Sequence, residues 1–126
     1  MLEDSKDPLH QAASTVYAEA SKPGGNVFTT NFVLNETISL LFRRRPFEEA
    51  ARFMRGLLTS QFIGVQEITP ARFRRAFQLR LTFRDKPDIS FTDLTSMIVA
   101  QDLNVSDILT GDRHFLQAGL GFRIFP

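Results

Sequence analysis

Helix-opening and helix-closing residues punctuate this chain from end to end, with short β-rich runs between them. That alternation restricts it to few folds. Asp7-Pro8 reads as an N-cap followed by proline at the first helical position. It predicts a helix over residues 9–20, closed by Pro23-Gly24-Gly25. Val-Phe-Thr-Thr at 27–30 is a short β-rich run. Asn31 is placed to cap a second helix over 32–45, which must end before Pro46. Pro46 opens a third helix, with Glu48 and Glu49 in its first turn, where the helix dipole favours acids. Residues 62–68 read as a strand, and Thr69-Pro70 caps and opens a fourth helix. After a polar loop, Ser-Phe-Thr-Asp at 90–93 starts a fifth helix that runs through Ala100. A strand at 107–110, a short helical piece at 113–119 and a strand at 122–125 complete the order. Strands alternating with helices predict an α/β domain with a mainly parallel sheet. No repeat, low-complexity tract or linker divides the 126 residues, which fit one domain.

Composition narrows the function. Zero cysteines exclude a disulfide scaffold, a thiolate zinc site and a cysteine nucleophile, and suit a cytoplasmic setting. The polar, acidic start is not a secretory signal, and no apolar run is long enough to span a membrane. The net charge of +1 hides a segregation. Residues 1–40 carry two lysines against five carboxylates, and residues 81–126 four bases against six aspartates. Residues 41–80 carry nine arginines against three glutamates. Arginine forks suit phosphate and carboxylate partners. The Arg43–Arg45 run, Arg72, Arg74, Arg75 and Arg80 are therefore candidates for a phosphate backbone or an acidic partner. A solvated helix surface with internal ion pairs explains them equally well.

Three acids do not read as plain surface. Glu36 lies four residues after Phe32 and four before Leu40, so all three share one helix face. A carboxylate in an apolar stripe needs a partner, and Arg43 to Arg45 are the structural candidates. Asp93 is the third helical position after Ser90, where capping alone accounts for it. Asp112 lies just beyond the 107–110 strand, at the edge where open parallel sheets bind ligands, and can equally cap the piece that follows. Taken together, carboxylates from helix starts and strand ends can converge at one rim. Clustered carboxylates repel each other, and a hard divalent cation such as Mg²⁺ or Mn²⁺ relieves that repulsion. Such a cation activates water against a phosphodiester.

Asp-Pro-Leu-His at 7–10, Thr-Thr-Asn-Phe-Val-Leu-Asn-Glu at 29–36, Ser-Phe-Thr-Asp at 90–93 and Thr-Gly-Asp-Arg-His-Phe at 110–115 resemble the PIN domain family. They are most similar to the single-domain VapC-type toxin nucleases, in order, spacing and total length. The resemblance implies a three-layer α/β/α sandwich with a small, mainly parallel sheet. It implies an endoribonuclease that hydrolyses RNA with Mg²⁺ or Mn²⁺. By the same resemblance Glu36, Asp93 and Asp112 are the catalytic and metal-holding residues, and Thr110 supports them by hydrogen bonding. RNA as substrate, an antitoxin as protein partner and a homodimer are the implied associations.

The chain also departs from the family pattern. Such proteins usually begin with a hydrophobic strand ending in Asp-Thr or Asp-Ser, upstream of Asp-Pro-Leu-His. Only Met1 to Lys6 precede Asp7 here, without an apolar run. The expectation is a single PIN-like domain over 1–126, N-terminally incomplete, lacking a central strand and the first site aspartate. That absence keeps open a non-catalytic RNA- or protein-binding module with a degenerate site. A small-molecule α/β enzyme is disfavoured, since neither a serine elbow nor a phosphate-cradling glycine loop is present. His10 and His114 read as local hydrogen-bonding residues. Among the thirteen phenylalanines, Phe47, Phe53, Phe73 and Phe77 read as packing positions in a core or a partner surface.

Overall fold

In the computed structural model, residues 15–18, 26–110 and 113–125 are described. Strand β1 is Thr15–Ala18 and β2 is Asn26–Thr30. Helix α1, Asn31–Arg44, starts directly from β2. Its cap is Thr30, whose Oγ1 accepts the Val33 N–H at 3.1 Å, so the cap lies one residue before the expected Asn31. Asn31 is otherwise engaged: its Oδ1 accepts the Ile68 N–H at 2.7 Å. Helix α2, Phe47–Thr59, follows Pro46, and β3 is Ile63–Gln66. Helix α3, Pro70–Thr82, has Thr69 as its cap, accepting the Arg72 N–H at 3.2 Å. Helix α4, Phe91–Asp102, is capped by Ser90, which accepts the Asp93 N–H at 3.0 Å. Strand β4 is Asp107–Leu109, α5 is His114–Gln117 and β5 is Arg123–Phe125.

The architecture is an α/β sandwich on one five-stranded sheet of order β3-β2-β1-β4-β5. Strands β2 and β3 pair in parallel, as do β4 and β5. Strand β1 is antiparallel to both of its neighbours. The other four strands therefore share one direction, as expected of a mainly parallel sheet.

The central strand corrects two expectations. Residues 15–18 lie within the predicted first helix yet form β1; Asp7 and His10 lie outside the described residues. The inner edges of β2 and β4 are also not left open. Val16 stands opposite both Phe28 and Ile108, and Thr15 opposite Leu109. Two reasons favour the strand. Thr15, Val16 and Tyr17 are β-branched or aromatic and suit a pleated surface. Two flanking strands would otherwise hold buried, unpaired backbone groups, a cost that outweighs a modest helix propensity.

The core forms around α4. All seven residues from Leu94 to Ala100 are buried. A helix enclosed all round needs no polar face, which its sequence reflects. Leu94, Met97 and Ile98 pack with Ala76, Ile108, Phe115 and Phe122. Phe28 joins this cluster from β2, and an added Cβ at its register partner Gly64 would sit 2.8 Å from the Phe28 ring. Glycine in mid-strand is thereby explained by close approach of a neighbour. A second cluster, Leu34, Leu41, Ala50 and Met54, joins α1 to α2.

Arginine secures the connections. Arg80 donates to the carbonyls of Phe83, Lys86 and Ile89, holding the loop before α4. Arg72 and Arg75 of α3 both bond Asp102 at the end of α4, at 2.9 and 2.8 Å. Arg123 pairs across the sheet with buried Asp107 at 2.6 Å.

Two predictions follow from these contacts. Burial raises the Asp102 carboxyl, but bonds from Arg75 and Arg72 outweigh it and hold the group below its usual range. The stabilisation is complete above the unfolded value of about 4 and is lost as pH falls through the lower folded value. Asp102→Asn should cost about 1–2 kcal/mol at neutral pH and progressively less in acid, read by denaturant unfolding. Thr29 is 2% exposed and its Oγ1 has no hydrogen bond among the described residues. Thr29→Val keeps the shape, removes the orphaned hydroxyl, and should stabilise the fold by about 1 kcal/mol in the same measurement.

Candidate active site

Topology chooses the location. From β2 the chain travels outward through α1 and α2 to β3; from β4 it travels the other way through α5 to β5. Strands β2 and β4 point the same way, so the order reverses between them. Crevices beyond the carboxyl ends of strands form at such reversals. Thr30 and Thr110, both buried, stand where the chain leaves β2 and β4.

Helices α1 and α4 begin side by side at a cleft of about 400 Å³. Asn31, Phe32, Asn35 and Glu36 line it from α1, and Phe91 and Thr92 from α4. The decisive contact is between side chains 56 residues apart: Thr92 Oγ1 donates to Glu36 Oε2 at 2.9 Å. Glu36 is thereby held beside the first turn of α4, whose next residue is Asp93. The carboxylate is exposed, and the anticipated pairing with Arg43 to Arg45 is not seen among the described residues. The Thr92 hydroxyl instead holds Glu36, without neutralising it.

Asp93 is half-buried at the third position of α4. The Ser90 cap is made through the Asp93 main-chain N–H, so capping uses the residue's backbone. Asp112 lies outside the described residues, and among those described no three acidic or histidine side chains converge. The structure thus brings Glu36 to the start of α4, sets Thr110 at the end of β4, and says nothing of Asp112. Thr92 and Asn35 were not singled out from sequence, and Asn31 was singled out only as a helix cap. Thr92 lies within the quoted Ser-Phe-Thr-Asp motif, but only its contact across 56 residues marks its role.

The arginine candidates divide. Arg72, Arg75 and Arg80 are engaged in the fold, as described above, although the Arg75 side chain is still exposed. Arg43 and Arg44 close α1 with exposed side chains, two turns beyond Glu36. The phenylalanine expectation also divides. Phe47, Phe53, Phe73 and Phe77 are not core residues: they are 68%, 49%, 46% and 50% exposed. Phe73 packs edge to face on Phe32 and Phe91, while for Phe47, Phe53 and Phe77 a partner surface remains the reading that accounts for them.

The sequence model of the PIN domain matches residues 1–120. The chain belongs to the PIN domain family. The crystal structure of Mycobacterium tuberculosis VapC20, titled a sarcin-ricin loop cleaving toxin, is similar to it at 33% identity. The likeness covers 79% of this chain and 75% of that one, with a TM-score of 0.66. The likeness is thus to the VapC type of PIN domain. No curated protein matches significantly.

The family implies a divalent cation. The donor chemistry here suits a hard one: Glu36 offers an oxygen ligand, Asp93 follows its bonded neighbour, and the chain has no cysteine to offer a thiolate. No described helix of this PIN domain is long and apolar enough to cross a membrane.

Proposed function

We propose that this PIN domain is an endoribonuclease of the VapC toxin type, hydrolysing RNA phosphodiesters with Mg²⁺ or Mn²⁺. The observation that carries the reading is the Thr92–Glu36 hydrogen bond, which sets a solvent-open carboxylate beside Asp93 at the sheet's topological switch. Family membership and the 33% identity to a sarcin-ricin loop cleaving toxin support the same chemistry.

Glu36 and Asp93, with Asp112, would hold the cation, and Thr110 would brace them from the end of β4. When bound, the cation supplies charge neutralisation at the attacked phosphate and a more acidic water. The chain's own residues do the positioning. Thr92 fixes one oxygen of Glu36, which lines the cleft. Ser90 fixes the first turn of α4 and so the main chain of Asp93. Arg43 and Arg44 offer cations to phosphates beyond the cut. The exposed phenylalanines suit burial by an antitoxin or a second copy of the chain, and a cytoplasmic setting agrees with the absence of cysteine.

One observation favours the second reading, a binding module with a degenerate site. Among the described residues, the central strand Thr15–Ala18 brings no carboxylate to the sheet. Two experiments separate the readings. Asp93→Asn and Glu36→Gln should each lower metal-dependent RNA cleavage by about a hundredfold or more while the melting temperature holds. Undetectable cleavage by the wild-type chain across Mn²⁺ concentrations would favour the binding module. Thr92→Val should weaken Mn²⁺ binding about tenfold, measured by calorimetry, because the partner that orients Glu36 is gone.

A further inference from the structure

The cleft holds more than acids. Phe32 of α1, Phe73 of α3 and Phe91 of α4 form a chain of rings from three helices. Phe73 meets Phe91 at 5.0 Å and Phe32 at 6.1 Å between centroids, each edge to face. The rings of the core, Phe115, Phe83 and Phe122, are 1%, 8% and 8% exposed. Phe32 and Phe91 are only half-buried, and both line the open cleft. Edge-to-face packing occupies one side of a ring and fixes its position, so further stacking costs little ordering entropy.

Their placement relative to the acids is specific. Phe32 is one helical turn before Glu36, about 5–6 Å between Cβ atoms. Phe91 immediately precedes Thr92, which bonds Glu36. The same wall carries amides. Asn31 has its oxygen taken by Ile68, which leaves its NH₂ as a donor, and Asn35 is exposed. A cleft with an aromatic floor, amide edges and a carboxylate one turn away suits a flat, polar-edged ring attached to a phosphate. An apolar peptide side chain would instead desolvate Glu36 and both amides without partners.

Building on the ribonuclease reading, we propose that Phe32 and Phe91 form a stacking platform for one unpaired base of the RNA, next to the phosphate that is cut. Phe73 braces the two rings from α3. The ligand class is single-stranded RNA with a splayed base, since a paired base has no free face. The platform adds affinity for the base and sets which nucleotide lies beside the acids.

The test measures binding of the full chain in EDTA, where cleavage does not intervene, to a short single-stranded RNA carrying 2-aminopurine. Wild type should quench the fluorophore. Phe91→Leu and Phe32→Leu should lose that quench and bind about tenfold to a hundredfold more weakly, with an unchanged salt slope. Phe91→Tyr, which keeps the ring, should restore both. An RNA with an abasic site in place of the fluorophore should bind wild type as weakly as the leucine variants bind intact RNA. This ligand-side arm stands even where a leucine variant fails to fold. Equal binding of intact and abasic RNA, or leucine variants that quench like wild type, would overturn the platform. Loss of cleavage in Glu36→Gln with no base effect removes the platform and leaves the nuclease. Base-dependent binding by a chain that never cleaves removes the nuclease and leaves the platform.

Discussion

Helix α4 is the element on which the rest of the molecule depends. It is enclosed for seven consecutive residues, so neighbours must meet it on every side. Its two ends do different work. Asp102 at the carboxyl end gathers Arg72 and Arg75 and sets α3 against it. Phe91 and Thr92 at the amino end line the cleft, Asp93 follows them in the chain, and Thr92 reaches α1. A rigid, buried helix is a sound support for such groups, because a site tolerates little positional error. The packing that stabilises the fold is the same packing that aims the candidate acids.

The sheet supplies the second constraint. Four strands run one way and β1 runs against them in the middle. Backbone hydrogen bonding is indifferent to that reversal, since antiparallel pairing is at least as favourable as parallel pairing. Side-chain delivery is not indifferent. A parallel central strand presents its carboxyl end at the same rim as β2 and β4; an antiparallel one presents its amino end there. The sheet is thus closed at its centre, while the rim draws its described acidic neighbours from helix starts.

Charge is used locally. The arginine-rich middle of the sequence looks like one basic surface, yet Arg72, Arg75 and Arg80 are joints between elements. Only their surroundings make them so: a helix end with a carboxylate, and a loop whose carbonyls turn inward. The arginines at the end of α1 carry no such duty among the described residues. The net charge of +1 therefore describes neither group.

Much of this was legible in advance, wherever the signal is local. Thr69-Pro70, Ser90 and Pro46 mark helix starts because they act on the backbone within one turn, and α2, α3 and α4 begin there. Glu36, within an apolar stripe, declared its need for a partner. The identity of that partner was not legible, because Thr92 and Glu36 meet only after α1 and α4 are packed. Phe73 and Phe91 carry helical spacing whether they face a core or a cleft. Thr15–Ala18 follows helix-opening residues, and pairing with the strands on either side tips its β-suited residues into an extended form. The sequence by itself determined the order of elements from β2 onward, most of their ends, the α/β class and the acids worth attention, since each rests on neighbours a few residues away. The tertiary structure alone decided which strand lies at the centre, which arginines are committed, and which side chain holds Glu36, since each depends on residues far apart in the chain.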